Sequence, residues 1–405
     1  MRKEEHDMAT SSVFDFDHVP DRRHTNSLKF DFAERRGYPE DVLPLWVADM
    51  DFPTAPPVID ALKRASEFGI FGYSEVEKSY SDAVIGWFER RFGWSAKPSW
   101  MVKTPGVVYA LAMAVQAFTE PGEAVLIQPP VYYPFYEVIR DNGRKLVENP
   151  LIYDGETYSI DFDDFERKVA GENVRLFCLC SPHNPVGRVW SVDELKRMGD
   201  ICREHDVIVV SDEIHCDFVW PRHTHHVFCE AVPDMLERSV VCTAPSKSFN
   251  LAGLQVSHVF VPNRELRHAF KAAMRRSGYS QLNTMGLVAS EAAYTKGEPW
   301  LDACKEYLYA NLLFVDEFLK ESIPALRMVK PEGTYFAWID CSRLGLSAKE
   351  LDDLVIHKAG LWLDSGHIFG ELADQFQRVV VACPRSLLEQ ALGKLKEAVD
   401  TLPGR

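Results

Sequence analysis

Three runs decide how this chain folds: VRLFCLCSPHNPVGR (174–188), VIVVSDEIHCDF (207–218) and SVVCTAPSKSFNLAGL (239–254). Each opens on a short, nearly unbroken apolar stretch, which predicts a strand buried on both faces. Each then gives way abruptly to proline, polar and charged residues. AVLIQ (124–128) followed by PPVYYPFY (129–136) repeats the pattern upstream. Between the first two runs lies SVDELKRMGDICREH (191–205). There Ser191 and Glu194 form a capping box, and Leu195, Met198 and Cys202 form a buried helical stripe. Strand, helix and strand repeated in this way predict an α/β fold with a mostly parallel sheet wrapped by helices.

Outward from this centre the pattern changes. LPLWVADMDF (43–52) precedes Pro53, Pro56 and Pro57, and a helix is expected from about Val58 with Leu62 and Ala65 on one face. A long helix is expected over 298–321, with Leu301, Cys304, Leu308, Leu312, Val315 and Leu319 at helical spacing. After it come a strand-like TYFAWID (334–340), a capping box from Ser347 to Glu350, and a strand in RVVVACP (378–384). A last helix is expected to be capped by Ser386 and Glu389. These segments read as a smaller α+β domain.

Composition sets outer limits. At 405 residues the chain exceeds the usual domain of about 100–200 residues, so two domains are expected. With 46% hydrophobic and 26% charged residues, it is neither disordered, collagenous nor coiled coil. Sixty acidic against 45 basic residues leave a net charge of -15, which disfavours nucleic acid and anionic membranes as partners. Nine cysteines without a CxxC pair suit a reducing cytoplasm. No apolar run approaches the roughly 18 residues of a membrane helix, and MRKEEHDMATSS does not read as a signal peptide. A soluble, cytoplasmic enzyme is expected.

In an open parallel sheet, ligands bind beyond the carboxyl ends of the strands. Four such ends deliver Tyr132 and Tyr133, Asn184, Asp212 and His215, and Ser246 and Lys247. An aromatic face, an amide, a carboxylate and a lysine at one rim suit pyridoxal 5'-phosphate. That cofactor needs an amine for its Schiff base, a carboxylate for its pyridine nitrogen and a planar surface for its ring. Its phosphate wants a helix N-terminus, and TPGVVYALAMAVQAF (104–118) supplies one behind Gly106.

Taken with their order and spacing, these motifs make the chain resemble fold-type-I pyridoxal-phosphate enzymes of the aminotransferase class I/II superfamily. The likeness is greatest to the cystathionine β-lyase (C–S lyase) branch. It runs over residues 14–402 and includes DRRHTNSLKFD (21–31), FGY (71–73), TPGVV, SPHNPVGR, SDEIHCDF, SKSFNLAGL, DSGHIFG (364–370) and VVVACPR, with 28 residues from Asn184 to Asp212 and 35 from there to Lys247. The resemblance implies a three-layer fold with a flexible stretch at 1–12, a large cofactor domain at 53–297, and a small domain assembled from 13–52 and 298–405. It implies that Lys247 carries the cofactor and moves the substrate α-proton, that Asp212 pairs with the pyridine nitrogen, and that Asn184 bonds the ring hydroxyl and borders the substrate. Tyr132, or its neighbour Tyr133, stacks on the ring. Val107 and Val108 N–H groups, the Ser246 hydroxyl and Tyr73 of a second subunit hold the phosphate, and Arg385 takes the substrate α-carboxylate. A homodimer and a small amino-acid substrate follow.

Two positions depart from the aminotransferase pattern. His215 stands where many have a tyrosine beside the ring hydroxyl, and Gln255 where many have a phosphate-clamping arginine. Both departures fit the lyase branch. The expected reaction is β-elimination from L-cystathionine or a related cysteine S-conjugate, giving a thiol, pyruvate and ammonia. The alternatives are an aminotransferase of an α-amino acid and a regulatory protein retaining the fold. Other clusters read blandly. His223, His225 and His226 suggest a surface loop and no metal site; Cys178 and Cys180 suggest packing. The basic run Arg264, Arg267, Lys271, Arg275 and Arg276 suggests a solvated helix face. Asp49 and Asp51 lie in a segment that the resemblance brings toward the substrate, and a loop cap explains them as well.

Overall fold

A computed structural model describes residues 14–403, so the stretch 1–12 expected to be flexible lies outside the described residues. The central sheet has seven strands: β1 (Met101–Thr104), β2 (Ala124–Ile127), β3 (Lys145–Glu148), β4 (Val174–Cys180), β5 (Ile208–Asp212), β6 (Ser239–Thr243) and β7 (Ser257–Phe260), in spatial order β1-β7-β6-β5-β4-β2-β3. Every pair from β6 to β3 is parallel, and β7 runs antiparallel to both its neighbours. The strands read from their apolar runs are therefore the inner ones, and the short edge strands carry the weaker signal.

Helices cover both faces. On β4, Phe177 and Leu179 pack with Leu195, Met198 and Cys202 of the helix Val192–Glu204, whose Ser191–Glu194 capping box is formed. Leu176, Cys178 and Cys180 face the other way, onto the helices Val107–Phe118 and Arg264–Arg276. This alternation is the period of a strand buried on both sides. All nine cysteines are buried thiols. Arg264, Lys271, Arg275 and Arg276 lie on an exposed helix face.

A four-stranded antiparallel sheet is made by β8 (Arg327–Met328), β9 (Phe336–Asp340), β10 (Asp364–Ser365) and β11 (Phe376–Val380), in order β8-β9-β11-β10. The long helix, Glu298–Ser322, buries the whole expected stripe and adds Trp300 and Asn311. Leu43–Pro44 pairs in parallel with Leu361–Trp362, joining the two ends of the chain. The Ser347–Glu350 box is formed, but the one expected at Ser386 and Glu389 is not. The last helix, Arg385–Asp400, starts two residues earlier than a Ser386 cap would have it, behind Pro384. The Tyr307 hydroxyl accepts from the Arg385 N–H at 2.7 Å, so a neighbouring helix supplies the cap.

Candidate active site

Lys247 lies in the short helix Pro245–Ser248 that follows β6. Its Nζ donates to the Ala48 carbonyl at 2.8 Å, and the Tyr335 hydroxyl donates to the same oxygen at 3.0 Å. Burial, and then the charge of Arg378, lower the lysine pKa to about 8. Asp212 ends β5 one strand away. Its Oδ1 accepts from the Ile214 N–H at 3.1 Å, yet burial raises its carboxyl to about 7 against that bond and the Lys247 charge.

The next residue, Glu213, is held quite differently. It is fully buried and accepts from the Ser211 hydroxyl at 2.8 Å and the Phe228 N–H at 2.9 Å, and its other oxygen lies 2.9 Å from His225 Nε2. His225 is thus a buried anchor, which corrects the surface reading of the three-histidine stretch. Successive carboxylates at a strand end point opposite ways, so one is consumed by structure and the other is left for chemistry. His215 packs edge-on against Tyr335 and Phe336 at 5.6 and 5.2 Å. Burial drives its pKa well below the usual imidazole range, and its Nδ1 is buried without a hydrogen-bond partner among the described residues.

Asn184, in the loop after β4, accepts on Oδ1 from Arg378 Nη1 at 2.9 Å, and its carbonyl accepts from the Tyr132 N–H at 3.1 Å. The Tyr132 ring lies 5.0 Å from that of Tyr133. Burial raises the Tyr132 phenol, and among the charges acting on it are Arg378 and Asp212. Arg378 was missed in the sequence. It sits in β11 with its Nη2 on the Asp364 carboxylate and, at 3.0 Å, on the Trp46 carbonyl. Its guanidinium lies over Phe336, 4.4 Å from the ring centre. Its Nε is buried with no partner among the described residues.

Arg385, by contrast, is placed elsewhere. Its Nε donates to Asn311 at 2.8 Å, and its guanidinium covers Phe314 at 4.4 Å. The arginine that bonds Asn184, and whose charge acts on Lys247, is Arg378, seven residues earlier in the same motif. The available signal was an arginine inside the apolar run RVVVA, where a strand buried on both faces forces it inward. Gly106 precedes the helix Val107–Phe118, and a Cβ built there would meet nothing within 4 Å. Val107 and Val108 stand at that helix start, where N–H groups lack intrahelical acceptors. Ser246 adjoins Lys247 and is half-buried. Tyr73 is 96% exposed, and Gln255 is exposed. Asp49 and Asp51 are salt-bridged by Arg22, and Asp51 also by the buried Lys29, so they do more than cap a loop.

Comparison with known proteins places this geometry. The model of the family described as Aminotransferase class I and II matches residues 40–395. The chain is 43% identical to the cystathionine beta-lyase PatB of Bacillus subtilis over 95% of its own length and all of that protein's. It is 33% identical to the protein MalY of Escherichia coli over 96% and 99% of the two chains. Among solved structures, cystalysin from Treponema denticola, which contains a pyridoxal 5'-phosphate cofactor, superposes with a TM-score of 0.93 at 35% identity over 96% of this chain and 99% of that one. The pyridoxal-phosphate-bound C–S lyase from Staphylococcus hominis does so with a TM-score of 0.89 at 34% identity, over the same shares. With a family match across most of its length and relatives aligned from end to end, the chain belongs to the class I and II aminotransferase family.

Proposed function

We propose that this chain is a pyridoxal-phosphate-dependent C–S β-lyase, cleaving L-cystathionine or a related cysteine S-conjugate to a thiol, pyruvate and ammonia. One observation carries the reading: a half-buried lysine of lowered basicity shares its site with a buried, thinly partnered aspartate, in a chain 43% identical to a cystathionine β-lyase along that protein's whole length.

The residues fit the cofactor. Asp212 has a buried carboxylate with no cation bonded to it, as a partner for a protonated ring nitrogen requires. His215 offers an unpartnered buried ring nitrogen beside it, and Arg378 an unpartnered Nε for an anion. Lys247 would hold the cofactor covalently, and Asn184 would meet the ring hydroxyl. Tyr132, whose phenol feels the Asp212 charge, would stack on the ring. The Val107 and Val108 N–H groups and the Ser246 hydroxyl would take the phosphate. When bound, the cofactor supplies an electron sink at the substrate α-carbon, which lets a β-thiolate leave.

The chain's own residues do the rest. With its pKa near 8, the Lys247 amine accepts and returns a proton close to neutral pH, as moving the α-proton demands. Arg378 anchors the substrate α-carboxylate in place of Arg385, and Asp364 and the Trp46 carbonyl fix its planar fork. Tyr335, Phe336 and His215 pack beside the reacting region and keep water off it. The domain division at residues 53 and 298 and a homodimer belong to this proposal. Tyr73 supports the homodimer, since it is exposed in one chain and free to complete a neighbour's phosphate site. Nine buried thiols support a cytoplasmic setting. No helix among the described residues is long and apolar enough to cross a membrane.

Incubation with L-cystathionine, with and without 2-oxoglutarate, tests the reading. Thiol and pyruvate are expected without the keto acid, and product formed only in its presence would make the chain an aminotransferase. Lys247→Ala should abolish both turnover and borohydride-fixed cofactor. A wild-type chain that fixes no cofactor would point instead to a regulatory protein.

A further inference from the structure

Away from the catalytic cluster, and sharing no residue with it, a cavity of about 890 Å³ opens between the C-terminal half of the helix Glu298–Ser322, the turn Trp220–His223 and β8. Its volume is within the range of small-molecule sites, about 300–1,000 Å³. One wall is aromatic: Trp220, itself buried, stacks on Tyr309 with ring centres 5.4 Å apart and planes at 24°. The floor is apolar and buried, from Leu312, Leu326 and Met328.

The rim is cationic. Arg222, Lys320, Arg327, Lys330 and Arg343 line the cavity, against the carboxylates Glu156 and Asp316. Lys320 already pairs with Asp316 at 2.5 Å, so the excess positive charge stands. This inverts the balance of a chain with 60 acidic and 45 basic residues. Arg222 also holds φ at 77°, in the left-handed region that a long side chain rarely adopts. The turn that puts it there is tied down, with the His223 N–H on the Trp220 carbonyl at 3.1 Å and the Trp220 N–H on the Glu332 carbonyl at 3.0 Å. Strain of this kind gathers where a side chain must be aimed.

A flat wall, a greasy floor and a cationic rim fit one chemistry: a planar ring against Tyr309, which Trp220 backs, and an anion at Arg222 and Lys330. We propose that this cavity is a second ligand site, for a small anionic aromatic molecule.

The test is titration of the cofactor-loaded enzyme with 8-anilinonaphthalene-1-sulfonate, followed by fluorescence. One saturable site per chain is expected, emptied by phenylphosphonate but not by benzyl alcohol or acetate. The double variant Arg222→Asn, Lys330→Ser should bind the dye about tenfold more weakly, with thermal midpoint and thiol release unchanged. Asparagine tolerates the left-handed turn, so the fold survives the change. Lys330→Ser and Tyr309→Ala, made singly, should each weaken binding in part. Unaltered dye affinity in all three variants, or displacement by benzyl alcohol as readily as by phenylphosphonate, would overturn the proposal.

Discussion

Arg378→Lys separates the two arginines of the RVVVACPR motif. Arg378 spans three partners at once: Asn184 at 2.9 Å, the Trp46 carbonyl at 3.0 Å and the Asp364 carboxylate. Lysine retains the charge beside Asp364, so no buried carboxylate is stranded and the fold should stand. It cannot reach Asn184 and a substrate carboxylate together, because an ammonium is a point donor and a guanidinium a fork. Losing two charge-assisted bonds at about 1.5–2 kcal/mol each removes about 3–4 kcal/mol of transition-state binding. That is roughly a hundred- to a thousandfold in kcat/KM for L-cystathionine. Arg385→Lys gives up only the Asn311 bond and contact with Phe314, so kcat/KM should stay within about threefold while stability falls by about 1 kcal/mol. Thiol release under steady state, with the cofactor absorbance and thermal midpoint of each variant, gives the comparison. A hundredfold loss in Arg385→Lys with near-normal Arg378→Lys would refute the placement of the carboxylate site.

Gly366→Ala should fail to fold or lose about 3 kcal/mol or more, since a Cβ there would stand 1.8 Å from the Ala373 carbonyl oxygen, whereas Gly106→Ala should fold normally and bind the cofactor more weakly; urea denaturation and cofactor titration distinguish them. In cofactor-free protein the Asp212 pKa of about 7 exceeds its unfolded value, so the native chain binds more protons between about pH 4 and 7 and loses stability as pH rises through that window. Asp212→Asn should remove that slope, worth on the order of 4 kcal/mol by pH 8, in pH-dependent unfolding. Glu213→Gln should weaken the His225 anchor and lower kcat with little change in KM, and an unaltered kcat would deny it a positioning role. Light scattering should give a dimer and Tyr73→Ala should lower its cofactor affinity, and an active monomer would remove the shared-site reading.

What the sequence discloses and what it hides divide along a physical line. Strands β4, β5 and β6 were legible because burial on both faces leaves no room for polar residues, and their ends named Asn184, Asp212 and Lys247. Capping boxes at Ser191 and Ser347 were legible because both partners are local. Ser386 mimics that signal, but its helix takes Tyr307 from 78 residues away as its cap, and no local pattern reveals a partner so remote. Arg378 and Arg385 illustrate the same limit. Both fit the motif; the apolar run around Arg378 hints that it points inward, and the packing of β11 against the Asn184 loop settles which arginine meets Asn184. The burial of His225 depends on a carboxylate twelve residues upstream, Glu213, that its immediate neighbours do not announce.

Much of the site is closed by backbone carbonyls, which no residue pattern can show. In LPLWVADMDF the alternate residues Trp46, Ala48 and Met50 each offer a carbonyl to it: Trp46 to Arg378, Ala48 to Lys247 and Tyr335, and Met50 to Asn250 at 2.9 Å. Asn250 also accepts the Met50 N–H at 3.0 Å, so the residue three beyond the lysine locks the same segment. The aspartates on either side of Met50 hold it from outside. Asp49 and Asp51 share Arg22 at 2.6 Å, and the fully buried Lys29 reaches Asp51 at 2.8 Å. Such buried ions add little net stability, because desolvation offsets their attraction, but they admit few alternative positions. Their work here is placement. They hold the Ala48 oxygen where Lys247 donates to it, so the lysine is aimed before any cofactor binds, and the N-terminal residues become part of the site without touching a reacting atom.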